Sequence, residues 1–155
     1  MTPSADLTLR AARPSDLAAL TDLCLRSKAH WGYDDAFMTA CRDELTVTEA
    51  DLPGITLLEN GASPIAMVQL TLDGDTADLA RLYVAPEAMG QGAGRRLLDH
   101  AITQARRSGA HTLTIEADPN AAPFYERLGA RQTGEVPSGS IPGRKLPRLE
   151  LPLTP

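Results

Sequence analysis

The sequence predicts a single α/β domain over residues 1–155, and three observations indicate this class. With 155 residues, of which 43% are hydrophobic, the chain is long enough for one domain with a core and too short for two. Apolar runs typical of strands are separated by Asn-Gly and Asp-Gly pairs at positions 60–61 and 73–74, which are typical hairpin turns. Within residues 82–105 a strand ends at a proline, and a turn with regularly spaced glycines opens an amphipathic helix.

The first half of the chain predicts a strand, two helices and three more strands. Residues Leu7–Ala11 alternate weakly between apolar and polar and predict the opening strand. Pro14-Ser15-Asp16 is typical of a helix start, and the apolar stripe after it predicts a helix that ends near Lys28. A second stripe predicts a helix over about Asp34–Leu45. The next strands are predicted at Ile55–Glu59, Ile65–Leu72 and Thr76–Val84.

The second half begins with the helix that the glycine turn opens. A strand at Thr112–Ala117, a short helix around Ala121–Leu128 and strands at Arg131–Val136 and Leu146–Leu153 follow. Pro147 and Pro152 predict that the last strand is irregular or an edge, because proline cannot donate to a sheet ladder. The predicted order is β-α-α-β-β-β-α-β-α-β-β.

The glycine turn predicts an anion site. Gly90, Gly92 and Gly94 directly precede Arg95 and Arg96. Glycine admits a ligand close to the backbone, and a helix start presents unpaired N–H groups and the positive end of its dipole. Phosphate or pyrophosphate suits such a site best. The alternative is a turn that only joins strand to helix, with both arginines solvated.

The spacing excludes two common nucleotide folds. A Walker-type loop needs Lys followed by Ser or Thr after its last glycine, where this chain has Arg95-Arg96. The dinucleotide fingerprint needs glycine at position 95 and normally opens the first strand–helix unit, whereas this turn lies past the middle of the chain.

The chain resembles the GNAT superfamily of acyl-CoA-dependent N-acyltransferases along nearly its whole length, and two segments contain the motifs that carry the resemblance. Val84-Ala85-Pro86 followed by Met89–Gly94 is similar to the family's Val-x-Pro and Gln/Arg-x-x-Gly-x-Gly/Ala segment, with Met89 replacing the usual Gln or Arg. Asn120–Gly129 is similar to its Asn-Ala-x-x-Phe-Tyr-Glu-Lys-x-Gly segment, with Ala130 replacing the common aromatic. The resemblance implies an α/β (α+β) fold: a mixed, mostly antiparallel sheet of six to seven strands, splayed between strands 4 and 5, with helices on both faces.

The resemblance further implies an N-acetyltransferase that moves an acetyl group from acetyl-CoA to a primary amine of a small molecule or protein, by direct attack in a ternary complex. The alternative is a non-catalytic acyl-CoA binding or sensing domain, which Ala80 and Arg81 favour because other branches carry an acid there. No metal is implied. The implied cofactor contacts are Leu82, Tyr83, Val84, Met89, Gly90, Gln91, Gly92, Ala93, Gly94, Arg95 and Asn120. For Asn120, a cap on the short helix is an equal alternative.

Acyl transfer to an amine requires a proton to leave the amine and a proton to reach the departing thiolate. Tyr125 matches the family tyrosine near the thioester sulfur and is the expected acid; the alternative is a core tyrosine with a satisfied hydroxyl. Asp78 aligns with the catalytic glutamate of the family's histone-acetylating branch, and Glu116 on the neighbouring strand is the next candidate base. A water chain without a side-chain base is a third alternative.

The resemblance implies that two connections form the acceptor pocket. The expected substrate-binding residues are His30, Trp31, Tyr33 and Asp34 in the first connection, and Ser138 and Arg144 in the second. Trp31 and Tyr33 suit an apolar or cation-binding wall, and Arg144 suits a carboxylate or phosphate. The alternative is a set of core aromatics and a plain surface loop.

Composition excludes some partners and predicts a compartment. The net charge is −5 with no basic block, which argues against nucleic acid. The N-terminal sequence MTPSADLTLR lacks the apolar run of a signal peptide, and no stretch approaches the ~20 apolar residues that cross a membrane. Cys24 and Cys41 are predicted to be buried free thiols. The expectation is a cytoplasmic protein without membrane contact, in which the final strands offer a pairing surface for a homodimer.

Overall fold

The computed structural model describes residues 7–153 and confirms the predicted order of elements. The signal-peptide argument depends partly on residues 1–6, which lie outside the described residues. The strands are β1 (Leu7–Ala11), β2 (Ile55–Asn60), β3 (Ser63–Asp73), β4 (Thr76–Val84), β5 (Thr112–Glu116), β6 (Arg131–Pro137) and β7 (Lys145–Pro152). The α-helices are α1 (Leu17–Ala29), α2 (Asp35–Leu45), α3 (Ala93–Arg107) and α4 (Ala122–Arg127).

The seven strands form one mixed sheet in the order β1-β2-β3-β4-β5-β7-β6. β1–β2, β2–β3, β5–β7 and β6–β7 are antiparallel, and β4–β5 is parallel. The parallel ladder runs only from Thr76–Thr112 to Asp78–Thr114, although β4 continues to Val84. The predicted α/β class with a mixed, mostly antiparallel sheet is confirmed, and the short ladder is what a sheet splayed between strands 4 and 5 would have.

The chain divides into two compact units. One contains the residues up to Gln69 together with Arg81–Asp99, and the other contains Leu70–Ala80 together with the residues from His100 onward. The first unit buries the side chains of Leu20, Leu23, Leu57, Leu58, Met67, Leu97 and Leu98, and the second those of Leu113, Ile115 and Leu149. The single domain over residues 1–155 stays a prediction.

Of the two alternatives predicted for the last strand, the edge position is wrong, because β7 lies between β5 and β6. The irregularity is present, because the ladder of β7 with β6 shifts register between Gln132 and Gly134. The two prolines of β7 are tolerated because they lie at the ends of the ladder with β5. Pro152 stands opposite Thr112, the first residue of β5. Pro147 follows the last register pair and accepts a 3.0 Å hydrogen bond from Ala117 N. On this side of the sheet the edge strand is β6, and β1 is the edge strand on the other side.

A buried ion pair fixes the start of the first helix. Arg10 on β1 donates two hydrogen bonds to Asp16, of 2.8 and 2.9 Å, and Arg13 N donates a third of 2.7 Å. Asp16 ends the 3-10 turn Pro14–Asp16 that leads into α1. The Arg10 guanidinium and the Arg13 amide outweigh burial and lower the pKa of Asp16 from its ordinary value of 3.8 to about 2.

Replacing Asp16 with asparagine is expected to cost about 2 kcal/mol of unfolding free energy at neutral pH, the linkage equivalent of that pKa shift. Because the folded-state pKa is lowered, this stabilisation is present above the ordinary pKa and is lost as the pH falls toward about 2. Urea denaturation at several pH values measures it. Asp22→Asn, which removes the exposed 2.8 Å pair with Arg26, is the control and should change stability little. Equal losses for both variants would contradict the assignment.

The remaining elements add one correction and one confirmation. The sequence interpretation missed a 3-10 helix at Glu49–Gly54, which begins with a Thr48/Asp51 capping box. Cys24 and Cys41 are buried free thiols, as predicted. Burial raises the pKa of Cys24 to about 12, which keeps the thiol protonated. Among residues 7–153 no cluster of His, Cys, Asp or Glu could hold a metal ion. No helix in that range has the length and apolarity needed to cross a membrane.

Candidate active site

The glycine loop, residues 89–94, connects β4 to α3 through a 3-10 turn at Pro86–Ala88. Ala85 N donates a 2.8 Å hydrogen bond to Ile65 O on β3, which fixes where the chain leaves β4. Gly90 and Gly92 have φ angles of +78° and +84°, a region that favours glycine. A Cβ added at either position would meet no heavy atom within 4 Å. The space over these two glycines is therefore open to a ligand.

The first turn of α3 supplies hydrogen-bond donors at this loop. Arg96 N donates to Gly92 O at 3.0 Å, and helix geometry gives the preceding N–H groups no intrahelical acceptor. α3 has 15 residues, and its dipole favours an anion at this end. Leu97 and Leu98 are fully buried and fix the helix. Open space, glycine backbone and converging donors fit a pyrophosphate, as the sequence predicts.

The two arginines after the loop differ in their partners. Arg95 Nε donates to both carboxylate oxygens of Asp99, one helical turn further on, at 3.2 and 3.3 Å. Arg96 is exposed, and its side chain makes no hydrogen bond or ion pair within residues 7–153. Arg96 rather than Arg95 therefore has its guanidinium available for a phosphate.

Replacing Arg96 with alanine is expected to weaken binding of CoA thioesters about three- to tenfold, because one charge-assisted contact to phosphate is lost. Arg95→Ala is the matched control, since Arg95 is already paired with Asp99. Titration calorimetry at low and high salt measures both, and the difference between the variants should shrink as salt screens the contact. Equal affinities for the two variants would contradict the distinction.

The strand residues expected beside the cofactor lie just before the loop. Leu82, Tyr83 and Val84 are the last residues of β4, and all three are half-buried. The ladder to β5 ends earlier, at Asp78.

Tyr125 lies in α4 and is buried. Its ring meets that of Phe124 edge-on, with 5.2 Å between centroids. Burial raises the pKa of Tyr125 above its ordinary value, because removal from water disfavours the phenolate. The hydroxyl makes no hydrogen bond to any residue in the range 7–153. The role of Tyr125 as the acid and the alternative of a core tyrosine with a satisfied hydroxyl both stay predictions.

The two candidate bases differ in their surroundings. Asp78 is half-buried, and its Oδ1 accepts a 2.7 Å hydrogen bond from Thr114 Oγ1, the residue opposite it on β5. Glu116 ends β5 and is exposed. Only Asp78 is held by a second side chain, which is how bases are commonly oriented.

Asn120 forms part of a polar turn and does not cap α4. Its backbone N and its Nδ2 both donate to Asp118 Oδ1, at 2.8 and 3.0 Å. Ala121 occupies the N-cap position and no side chain caps the helix, so the capping alternative is wrong. Asp118 also lies 3.7 Å from Arg144 Nη2, and both side chains are largely buried.

The acceptor-side loop, residues 30–34, joins α1 to α2. The His30 and Trp31 rings meet edge-on with centroids 6.0 Å apart, and Trp31 is 44% exposed. Tyr33 stacks on Phe37 of α2, with 3.9 Å between centroids. Asp34 is the N-cap of α2 and accepts a 2.8 Å bond from Phe37 N. Trp31 is thus the large hydrophobic side chain that this loop exposes.

The second expected acceptor segment is the connection between β6 and β7. Ser138 Oγ accepts from Ser140 N at 3.2 Å and from Ile141 N at 3.1 Å. Ser138 N donates to Arg144 O at 2.8 Å. Ser138 therefore shapes the turn, and the Arg144 guanidinium is engaged with Asp118.

The sequence interpretation missed three side chains with defined positions. Arg81 Nη2 donates to the carbonyls of Glu44 and Thr46, at 3.0 and 3.2 Å, and lies 3.8 Å from Asp51 Oδ2. Asp118 was missed, although Asp-Pro-Asn is a recognisable turn signal. Lys28 was treated only as a helix end, and no local pattern indicates its aromatic partners.

Comparison with known sequences identifies a family. The family model for the acetyltransferase (GNAT) family matches residues 17–130. The peptidyl-lysine N-acetyltransferase YjaB of Salmonella typhimurium is 33% identical over 88 residues, which are 57% of this chain and 56% of that protein. The chain therefore matches little more than half the length of this curated relative.

Solved structures share the fold over nearly the whole chain. The PaiA N-acetyltransferase of Thermoplasma acidophilum, in complex with coenzyme A, has a TM-score of 0.76 at 19% identity, covering 93% of this chain and 97% of that one. A GCN5-related N-acetyltransferase of Rhodopseudomonas palustris has 0.77 at 25%, covering 92% and 93%. YncA of Salmonella typhimurium, solved with acetyl-CoA, has 0.68 at 24%, covering 96% and 95%.

Proposed function

Because the chain belongs to the acetyltransferase (GNAT) family, we propose that it moves an acetyl group from acetyl-CoA to a primary amine of a small molecule or protein, by direct attack in a ternary complex. The resemblance indicated by the two sequence segments is confirmed, and with it the assignment to a family of N-acyltransferase enzymes. The acceptor, the mechanism and the site residues are parts of the proposal.

The observation that carries the proposal is the glycine loop at the start of α3. Gly90 and Gly92 leave open space above backbone donors at the positive end of a 15-residue helix. We assign the pyrophosphate of acetyl-CoA to the amides of Gln91–Arg95 and the pantetheine arm to the backbone of Leu82–Val84. The ladder between β4 and β5 ends at Asp78, before this segment, and an extended ligand with amide groups can pair with a strand as an added strand does. Asn120 is assigned to the lower part of the arm.

Acetyl-CoA supplies the acyl carbonyl and the thiolate leaving group, and Tyr125 supplies a proton. As the amine nitrogen bonds to the acetyl carbon, the carbon–sulfur bond breaks and the Tyr125 hydroxyl protonates the sulfur. Burial keeps the Tyr125 hydroxyl protonated, so that it can donate its proton to the sulfur as negative charge develops there, and a proton from solvent then restores the hydroxyl. The hydroxyl is free of other hydrogen bonds within residues 7–153, which leaves it available for this step.

Asp78 is the proposed base, ahead of Glu116. The Thr114 hydroxyl orients the Asp78 carboxylate, whereas Glu116 is exposed at the end of its strand. The proton taken from the attacking amine passes to Asp78 directly or through a water molecule.

The acceptor is assigned to the acceptor-side loop and to the connection between β6 and β7. His30, Trp31, Tyr33 and Asp34 belong to the first, and Ser138 and Arg144 to the second. YjaB is named a peptidyl-lysine N-acetyltransferase, which makes lysine-containing peptides the first acceptors to assay.

The test is CoA-thiol release from acetyl-CoA over a panel of polyamines, amino acids, amino sugars, aminoglycosides and lysine peptides. The proposal predicts that at least one amine of the panel increases the rate at which CoA thiol is released. When the concentrations of both substrates are varied, double-reciprocal plots of the initial rates should give intersecting lines, as a ternary complex requires. Parallel lines, or a covalent acetyl-enzyme detected by mass, would contradict direct attack.

A non-catalytic acyl-CoA sensing domain is the second candidate, and Arg81 is the observation that favours it. The guanidinium is held by the carbonyls of Glu44 and Thr46, at a position where other branches of the family carry an acid. Tight acetyl-CoA binding with no transfer to any amine would support it.

We also propose a cytoplasmic location. Neither Cys24 nor Cys41 forms a disulfide within residues 7–153, which suits a compartment that keeps thiols reduced. A homodimer formed through strand pairing would use β6, because β7 is flanked on both sides.

A further inference from the structure

The only buried lysine among the described residues lies at the end of α1. Lys28 is 9% exposed, and its Nζ lies 5.4 Å from the centroid of the Tyr33 ring and 6.0 Å from that of Phe37. A buried ammonium is unfavourable unless it is compensated. The features that favour the charge include the aromatic rings, which attract a cation, and the last turn of α1, where the helix dipole favours positive charge.

The same contacts join the two ends of the acceptor-side loop. Lys28 belongs to α1, Phe37 belongs to α2, and Tyr33 lies within the loop between them. Trp31 N donates to Lys28 O at 3.2 Å, so the residue before the loop also holds the loop backbone. Gly32, with φ of +90°, then turns the chain toward Tyr33.

These contacts leave the two aromatic residues of the loop in different situations. Tyr33 stacks on Phe37 and has the chain's own cation beside it, whereas Trp31 stays 44% exposed. A cationic acceptor would therefore compete with Lys28 for Tyr33 but not for Trp31. Of Trp31 and Tyr33, which the sequence predicts as a cation-binding wall, only Trp31 is therefore left to contact a cationic acceptor.

We propose that Lys28 is a positioning residue for the acceptor: its ammonium holds the Tyr33–Phe37 pair against the end of α1 and so fixes the orientation in which Trp31 meets the acceptor amine. The part concerning the acceptor rests on the proposed function. The part concerning the loop rests on the contacts of Lys28 alone.

Three substitutions at two positions separate charge from packing. Lys28→Met removes the ammonium and keeps an unbranched stem with similar helix propensity. Lys28→Arg keeps a cation that stacks well on aromatic rings. The chain has one other lysine, Lys145, which is exposed at the start of β7, so Lys145→Met is the matched control.

Trp31 reports on the loop directly, because it is the only tryptophan in the chain. Lys28→Met should shift its emission maximum and increase its quenching by acrylamide. Lys28→Arg and Lys145→Met should leave both as in the wild type. Tyr33→Leu should reproduce the Lys28→Met change, and the double variant should add little to it, because the two residues act through one contact. Unchanged Trp31 emission and quenching in Lys28→Met would overturn the proposal.

Kinetics test the consequence for the acceptor. Lys28→Met should raise the acceptor KM about tenfold, which corresponds to losing one desolvated cation–π contact, and Lys28→Arg should restore most of it. The acetyl-CoA KM and kcat should stay within about twofold, which also shows that the variant is folded. An acceptor KM unchanged in Lys28→Met would overturn the positioning role. If no amine is acetylated even by the wild type, the proposed function fails, and Trp31 fluorescence still decides the role of Lys28 in the loop.

Discussion

Gly92→Trp is expected to abolish acetyl-CoA binding, raising the dissociation constant about a hundredfold or more, equivalent to roughly 3 kcal/mol. Two effects add. At φ of +84° an L-residue costs about 1–2 kcal/mol more than glycine, which distorts the loop. The indole would also fill the open space above the loop amides and keep phosphate oxygens away from them. Titration calorimetry with acetyl-CoA measures the loss.

Gly61→Trp is the matched control for Gly92→Trp. Gly61 lies in the turn between β2 and β3, has φ of +64°, and an added Cβ would likewise meet nothing within 4 Å. The control therefore shares the backbone strain but leaves the glycine loop intact, and it should bind acetyl-CoA like the wild type. Similar affinities for both variants would show that acetyl-CoA does not use this loop.

Tyr125→Phe is expected to lower kcat about a hundredfold and to leave acetyl-CoA affinity within about twofold, the magnitude and pattern of a lost general acid. Removing the hydroxyl leaves the buried ring and its edge contact with Phe124 in place. Phe124→Leu, which perturbs the same short helix but removes no hydroxyl, should retain most of the activity. A Tyr125→Phe variant as active as Phe124→Leu would exclude Tyr125 as the acid.

The pH dependence of the rate tests whether Tyr125 keeps its proton at high pH. Because burial raises the pKa of Tyr125, the neutral, proton-donating form persists above pH ~10, the ordinary tyrosine pKa. The wild-type rate should therefore not decline through loss of this proton as the pH rises toward 10. A decline below that pH that disappears in Tyr125→Phe would contradict the raised pKa.

Most elements of the fold follow from local patterns. The glycines at the two hairpin turns, the Pro14-Ser15-Asp16 turn before α1 and the apolar stripe of α3 all set local backbone geometry. The place of β7 between β5 and β6 depends instead on pairing with other strands, whereas its two prolines indicated an irregular or an edge strand. Local chemistry shows that a proline lacks a donor but does not show where the ladder ends.

The site was predictable to the extent that it uses backbone. Positive φ at Gly90 and Gly92 follows from residue type and spacing, so the open glycine loop was foreseeable. Side-chain partners were not, because they come from residues far apart in the chain. Arg81 meets carbonyls 35 and 37 residues away, and Asp78 meets Thr114, 36 residues away.

The mass of the acceptor after incubation with the protein and acetyl-CoA tests the central claim most directly. The account predicts that at least one amine gains a single acetyl group, in step with the CoA thiol released, and that Gly92→Trp abolishes both while Gly61→Trp keeps both. Tight acetyl-CoA binding with no acetylated amine, or thiol release without an acetylated amine, would contradict it.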